Sequence, residues 1–225
     1  MPPLRLDLHN HSRHSPDSKL EVEALVVAAA AAGLDGMALT DHDSVAGHVE
    51  LASLRTKFPK LLLIPGVEVS TREGHLLAYG VAETPPSHLP IAETVEWVRS
   101  RGGVTSVAHP FRRVHGVGGA VAAAAPVDAL EVVNGHNSRG ANRRAGELAA
   151  RRRIGGTGGG DVHELSDAGR VWTEFPEEVR DVADALDAIR RGSTKGVGQS
   201  LSGLRRVRYE LLVFSLRARR GFRGI

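Results

Sequence analysis

Nine side chains able to offer nitrogen or oxygen to a metal recur where short apolar runs of this chain end: His9, His11, His42, Glu68, His75, His109, Asp161 and His163, with Asp17 in the first loop. Imidazoles and carboxylates in one set bind zinc, iron or manganese without choosing among them. One ion takes about four to six ligands, so nine suit a centre of two or three ions that share a bridging carboxylate, and Glu68 is the best-placed carboxylate for that position. The chain contains no cysteine, which excludes disulfides, thiolate metal sites and a cysteine nucleophile. Any metal must therefore sit on nitrogen and oxygen.

These residues need a scaffold that delivers strand ends to one place. In LRLDLHNHS, Leu4, Leu6 and Leu8 alternate with Arg5, Asp7 and His9, the period-2 signature of a strand. His9 and His11, two apart, then share a face. A helix over 19–32 and a strand over 34–40 follow, the strand delivering Asp41, His42 and Asp43. The pattern continues with a helix over 45–57, a strand over 61–69 interrupted by Pro65 and Gly66, a strand over 74–81, a helix over 91–101 and a strand over 103–108. Further strands over 127–133 and 154–161 flank a helix over 138–153. Polar groups fall at nearly every strand end, which favours a closed or nearly closed β/α barrel over a doubly wound sheet, whose chemistry gathers at one switch point. An edge strand over 170–175, a helix over 177–190, a loop over 192–203 and a helix over 204–219 packed on the barrel complete a single domain, 1–225. The glycine run 155–160 lacks the Gly-Lys-Ser/Thr of a phosphate loop and suits close backbone approach beside Asp161.

The segments DLHNHS at 7–12, TDHDS at 40–44, PGVEVS at 65–70, AHP at 108–110 and GGDVH at 159–163 resemble the motifs of the PHP superfamily, the polymerase and histidinol phosphatase domain. The resemblance implies a distorted (β/α)7 barrel with a centre of three divalent ions, Mn, Fe or Zn, at the C-terminal ends of the strands, and hydrolysis of phosphate esters. Carried over residue by residue, it gives His9, His11, Glu68 and Asp161 to one ion, Glu68, His75 and His109 to a second, and Asp17, His42 and His163 to the third. A hydroxide bridging the ions that share Glu68 would attack phosphorus while the metals neutralise the phosphoryl oxygens. Glu68, Asp161, His109 and Arg112 are thus the expected catalytic set. Asp7, Asp41 and Asp43 are expected to orient imidazoles from behind.

A doubly charged phosphate also needs donors beyond the metals. Arg112 follows His109 at the expected rim, Asn134 and Arg139 belong to the donor-rich segment NGHNSRG at 134–140, and His14 lies in the first loop; these four are the candidate substrate contacts. The favoured substrates are phosphomonoesters of small metabolites or nucleotides. The alternatives are phosphodiester cleavage at nucleic-acid ends, or a noncatalytic metal-stabilised interaction module. The net charge of +3 is uneven, with seven arginines against one glutamate between Gly203 and Ile225. That tail suits a packing helix with a basic outer face and, as the second reading, a nucleic-acid contact. The opening residues lack a basic region followed by a continuous apolar run, and no stretch of eighteen apolar residues occurs, so a cytoplasmic protein with no membrane partner is expected.

Overall fold

The computed structural model describes residues 3–200 together with Val207, Leu211, Phe214, Ser215 and Ala218. Nine strands and six α-helices follow in the order β1 (Leu4–Asp7), α1 (Val22–Ala31), β2 (Gly36–Leu39), α2 (His48–Leu54), β3 (Leu62–Ser70), β4 (His75–Tyr79), α3 (Ile91–Arg99), β5 (Val104–Val107), α4 (Gly118–Ala124), β6 (Ala129–Asn134), α5 (Arg139–Arg152), β7 (Gly155–Gly159), β8 (Val171–Phe175), α6 (Val182–Arg190) and β9 (Lys195–Gly198) among the described residues. The strands form one mixed sheet in the order β7-β6-β5-β4-β3-β2-β1-β8-β9. β1 to β3 pair in parallel, β3 to β5 antiparallel, and β5 to β7 in parallel again.

The sheet curls until β7 meets the continuation of β1. Just beyond β1 the Leu8 amide donates to Gly158 O of β7 at 3.3 Å, and the Asp161 amide donates to His9 O at 2.8 Å. A Cβ on Gly159 would collide with the backbone and Cβ of His9, so glycine is what lets the two strands close. The result is a near-barrel with helices packed around it and the histidines gathered near the strand ends, the distorted barrel that the sequence implies.

Helix α3 shows why the outer layer forms: Ile91, Thr94, Val95 and Val98 recur at helical spacing on its buried face. Helix α5 is capped by the Ser138 hydroxyl, which accepts from the Ala141 amide, and α6 by the Asp181 carboxylate, which accepts from the Asp184 amide. That second cap places the start of α6 later than the expected 177. Helix α6 does not join the outer layer. Its Ala185, Ala188 and Ile189 share one core with Leu6, Ile64, Val104 and Phe175, side chains near the N-terminal ends of the parallel strands, so α6 stoppers the mouth opposite the histidines.

Two expectations are corrected. The loop over 192–203 contains β9, an edge strand held antiparallel to β8. The strand over 61–69 is not interrupted: β3 runs through Pro65 and Gly66, and there it exchanges partners, pairing with β2 up to Pro65 and with β4 from Gly66 onward. Proline lacks the amide a continuing ladder would use, which suits it to the handover. The Ala-rich stretch near 120 is a helix, α4. The expected helix over 204–219 lies outside the described residues apart from the five named above; of these Val207, Leu211 and Phe214 are exposed. Among the described residues no helix is long and apolar enough to cross a membrane.

Candidate metal centre

Local geometry delivers each donor to the same mouth. His9 and His11 follow β1, and the Asn10 side chain between them donates to Asp7 O and Ala38 O, fastening the segment to β2. His42 follows β2 and bridges to Glu68 on β3. His75 opens β4, His109 follows β5, and Asp161 and His163 follow β7. Asp17 arrives from the loop after β1. All nine are buried, none more than 6% exposed. His109 and Asp161 have left-handed backbones, φ 30° and 55°, conformations that non-glycine residues adopt at a cost and that gather at functional sites.

Glu68 stands at the middle. Its Oε1 lies 2.9 Å from His75 Nδ1 and 2.9 Å from His109 Nε2. Its Oε2 lies 3.1 Å from His9 Nε2, 3.2 Å from His11 Nε2 and 3.3 Å from His42 Nδ1. Asp161 Oδ1 lies 3.2 Å from His11 Nε2, and Asp17 Oδ2 lies 3.2 Å from both His42 Nε2 and His163 Nε2. His11 Nε2 and His42 Nδ1, although buried and this close to carboxylate oxygens, have no partner in hydrogen-bond geometry. Buried polar atoms are ordinarily satisfied, and nitrogens that face carboxylate oxygens without bonding to them fit donors arranged around a cation. Four overlapping triads have ligand atoms within 4.8 Å of one another: His9, His11 and Asp161; His9, Glu68 and His109; His11, Asp17 and His163; His11, His42 and Glu68. These clusters are capable of holding divalent ions.

The charges lean the same way. Burial pushes the Glu68 carboxyl up, but His42, His9 and His75 outweigh it and hold Glu68 well below the usual carboxylate range. Against the same burial, His9 and Arg112 hold Asp161 well below, and His42 and His163 do so for Asp17. Burial opposes charge on His11, yet the Asp161 and Glu68 carboxylates push its imidazole up to about 10. His9 is raised well above its ordinary value, despite burial, by Glu68, Glu131 and Asp161. His109 is held well below, by burial and by Arg112. The mouth concentrates anionic oxygen that calls for positive charge.

The rim residues fall out differently. Arg112, about a quarter exposed at 24%, donates from Nη2 to Asp161 Oδ2 at 2.6 Å and to Asn134 Oδ1 at 2.7 Å, and from Nε to Asn137 Oδ1 at 3.2 Å. Asn134 is fully buried and spends its amide on Glu131 and Asp161, so it braces the centre from within. His14 lies beside Glu50, with Nε2 2.8 Å from Oε1, and Arg139 is exposed at the first turn of α5; neither is brought to the nine donors. The three aspartates expected behind the imidazoles hold backbone instead. Asp7 accepts from the His9 and Gly160 amides, Asp41 from the Ser12 amide and hydroxyl, and Asp43 from the Ser70 amide. The acid outside the nine donors that does reach one of their imidazoles, among the described residues, is Glu131, 2.9 Å from His9 Nδ1. Its one signal in the sequence is a lone acid inside the apolar run ALEVV.

Comparison with known proteins agrees with this geometry. The PHP domain model matches residues 7–108, and a model described as PHP-associated matches residues 139–194. An uncharacterized protein of Methanocaldococcus jannaschii is 29% identical over 147 residues, which span 61% of this chain and 85% of that one. A 5'-3' exoribonuclease of Haemophilus influenzae is 35% identical over 104 residues, 44% of this chain but 37% of the exoribonuclease. The crystal structure of PsfC from Pseudomonas syringae superimposes with a TM-score of 0.70 at 19% identity, covering 97% of this chain and 99% of that one, which shows a common fold. With five motifs, a near-barrel and buried histidine and aspartate clusters in agreement with these matches, the chain belongs to the PHP domain superfamily.

Proposed function

We propose that this chain hydrolyses phosphate esters, with phosphomonoesters of small metabolites or nucleotides as its substrates. The position of Glu68 carries the reading: both oxygens of one buried carboxylate face the ring nitrogens of five histidines. In this reading three divalent ions are held, the first by His9, His11, Glu68 and Asp161, the second by Glu68, His75 and His109, and the third by Asp17, His42 and His163. The four triads overlap: one lies within the first set, and three join donors assigned here to different ions, as adjacent ions in one shared site would require. When bound, Mn, Fe or Zn supplies Lewis acidity and an acidified water at neutral pH.

The protein's own part is placement. The His163 Nδ1–H donates to Asp161 O at 2.8 Å, and a carbonyl can only accept, so in the neutral ring the Nε2 lone pair faces Asp17. Arg112, tied to Asp161 Oδ2 on one side and partly exposed on the other, is placed to present N–H donors to a phosphoryl oxygen at the rim. Burial of the donors excludes bulk water and strengthens each interaction with developing charge.

A second reading is cleavage at nucleic-acid ends, favoured by the similarity to the exoribonuclease. Phosphate release from nucleoside monophosphates in Mn-containing buffer, set beside shortening of single-stranded oligoribonucleotides, separates the two. In both readings His109→Ala and Asp161→Asn, the latter keeping a residue type tolerant of the left-handed backbone, should reduce turnover to the uncatalysed background while the proteins stay folded. Unchanged turnover in both variants would refute the proposal.

A further inference from the structure

We infer that Glu131 is a positioning residue that fixes two metal-facing histidines at once; this rests on the proposed metal-centred reading. Glu131 is fully buried on β6. Its Oε1 lies 2.9 Å from His9 Nδ1. His9 Nε2 faces Glu68 Oε2 and Asp161 Oδ1, 3.1 and 3.7 Å away; an ion held there would take the Nε2 lone pair, which leaves Nδ1 to carry the ring proton and donate it to Glu131. Its Oε2 accepts from the His109 backbone amide at 2.7 Å. That bond anchors a residue whose left-handed φ of 30° would otherwise relax. Glu131 therefore sets the ring orientation of one donor and the backbone of another.

The same carboxylate is itself held in place. Asn134 Nδ2 donates to Glu131 Oε2 at 3.0 Å and to Asp161 Oδ2 at 3.3 Å, while Asn134 Oδ1 accepts from Arg112. One chain of hydrogen bonds thus runs from His9 through Glu131 and Asn134 to Asp161 and out to the rim guanidinium. Partners of this kind behind a ligating imidazole commonly change metal affinity by about 10–100-fold when removed.

The test is Mn2+ affinity and stoichiometry of the full chain, measured by competition with a chelating dye, for wild type, Glu131→Gln and Ile189→Ala. Ile189 lies in α6 at the opposite mouth and serves as a control for lost stability alone. Glu131→Gln should weaken Mn2+ binding by about 10–100-fold, whereas Ile189→Ala should leave it within about twofold. Wild-type affinity in Glu131→Gln overturns the inference and spares the metal-centred reading; a wild type that binds no Mn2+ overturns both. Should Glu131→Gln not fold, 15N spectra of the Zn2+-loaded wild type decide the matter. A His9 ring protonated at Nδ1 supports the inference, and a ring protonated at Nε2 or metallated at Nδ1 overturns it.

Discussion

At the scale of single residues, three depressed carboxylates and three raised imidazoles share one buried volume, and their charges set how the protein responds to pH. His9, His11 and His42 have folded-state values above the ordinary imidazole range, His11 at about 10. A raised imidazole stabilises the fold fully below about 6.5, its unfolded value, and that contribution is lost as pH rises toward the folded value. Without added metal, the melting temperature should therefore fall between about pH 6.5 and 10. Cations compete with those same protons, so Mn2+ affinity should rise over this window and loading at pH 7 should release protons into weakly buffered solution. Calorimetry in two buffers of different ionisation enthalpy measures the release; loading without proton release would show that the imidazoles are not the ligands. Six of the nine donors, His9, His11, His42, His109, Asp161 and His163, were legible because they follow strand ends, where side chains of different strands converge; Glu68, His75 and Asp17 stood out as acids and imidazoles inside or beside the same motifs. Glu131 was not, because its partner His9 is 122 positions away and nothing local marks which imidazole a buried acid meets.

At the scale of elements, short apolar runs bounded by turn residues and helical spacing marked out β1 to β6 and most helices, and β7 stood out as the glycine run before Asp161. Periodicity did not reveal β9, whose KGVG reads as a loop until β8 supplies the antiparallel partner. It also could not say that α6 turns its Ala185, Ala188 and Ile189 face into the barrel, since an amphipathic stripe names no neighbour. The stopper carries a prediction. Ile189 is fully buried, so Ile189→Ala should cost about 2–5 kcal/mol of stability, seen in urea unfolding, with little change in metal affinity. A loss below about 0.5 kcal/mol, the range of surface changes, would place α6 outside the core.

At the scale of the whole molecule, the barrel closes where β7 meets the continuation of β1, so the seam that completes the fold also brings Asp161 beside His9 and His11. Gly159 sits in that seam with no room for a side chain. Gly159→Ala should destabilise by about 1–3 kcal/mol through overpacking and, unlike the α6 variant, should also weaken metal binding; thermal melts with and without Mn2+ would separate the two effects. The sequence announced the seam as a glycine run and left its partner unstated, because which strand closes a barrel is decided by the whole curl of the sheet. The central claim is that Glu68 organises the ions that nine buried donors hold. Its most direct test is the metal content of Mn-loaded wild type beside Glu68→Gln, counted by elemental analysis after desalting. The expected result is about three ions per wild-type chain and loss of at least two in the variant. A wild type that retains none, or a variant that retains as many as the wild type, would contradict the account.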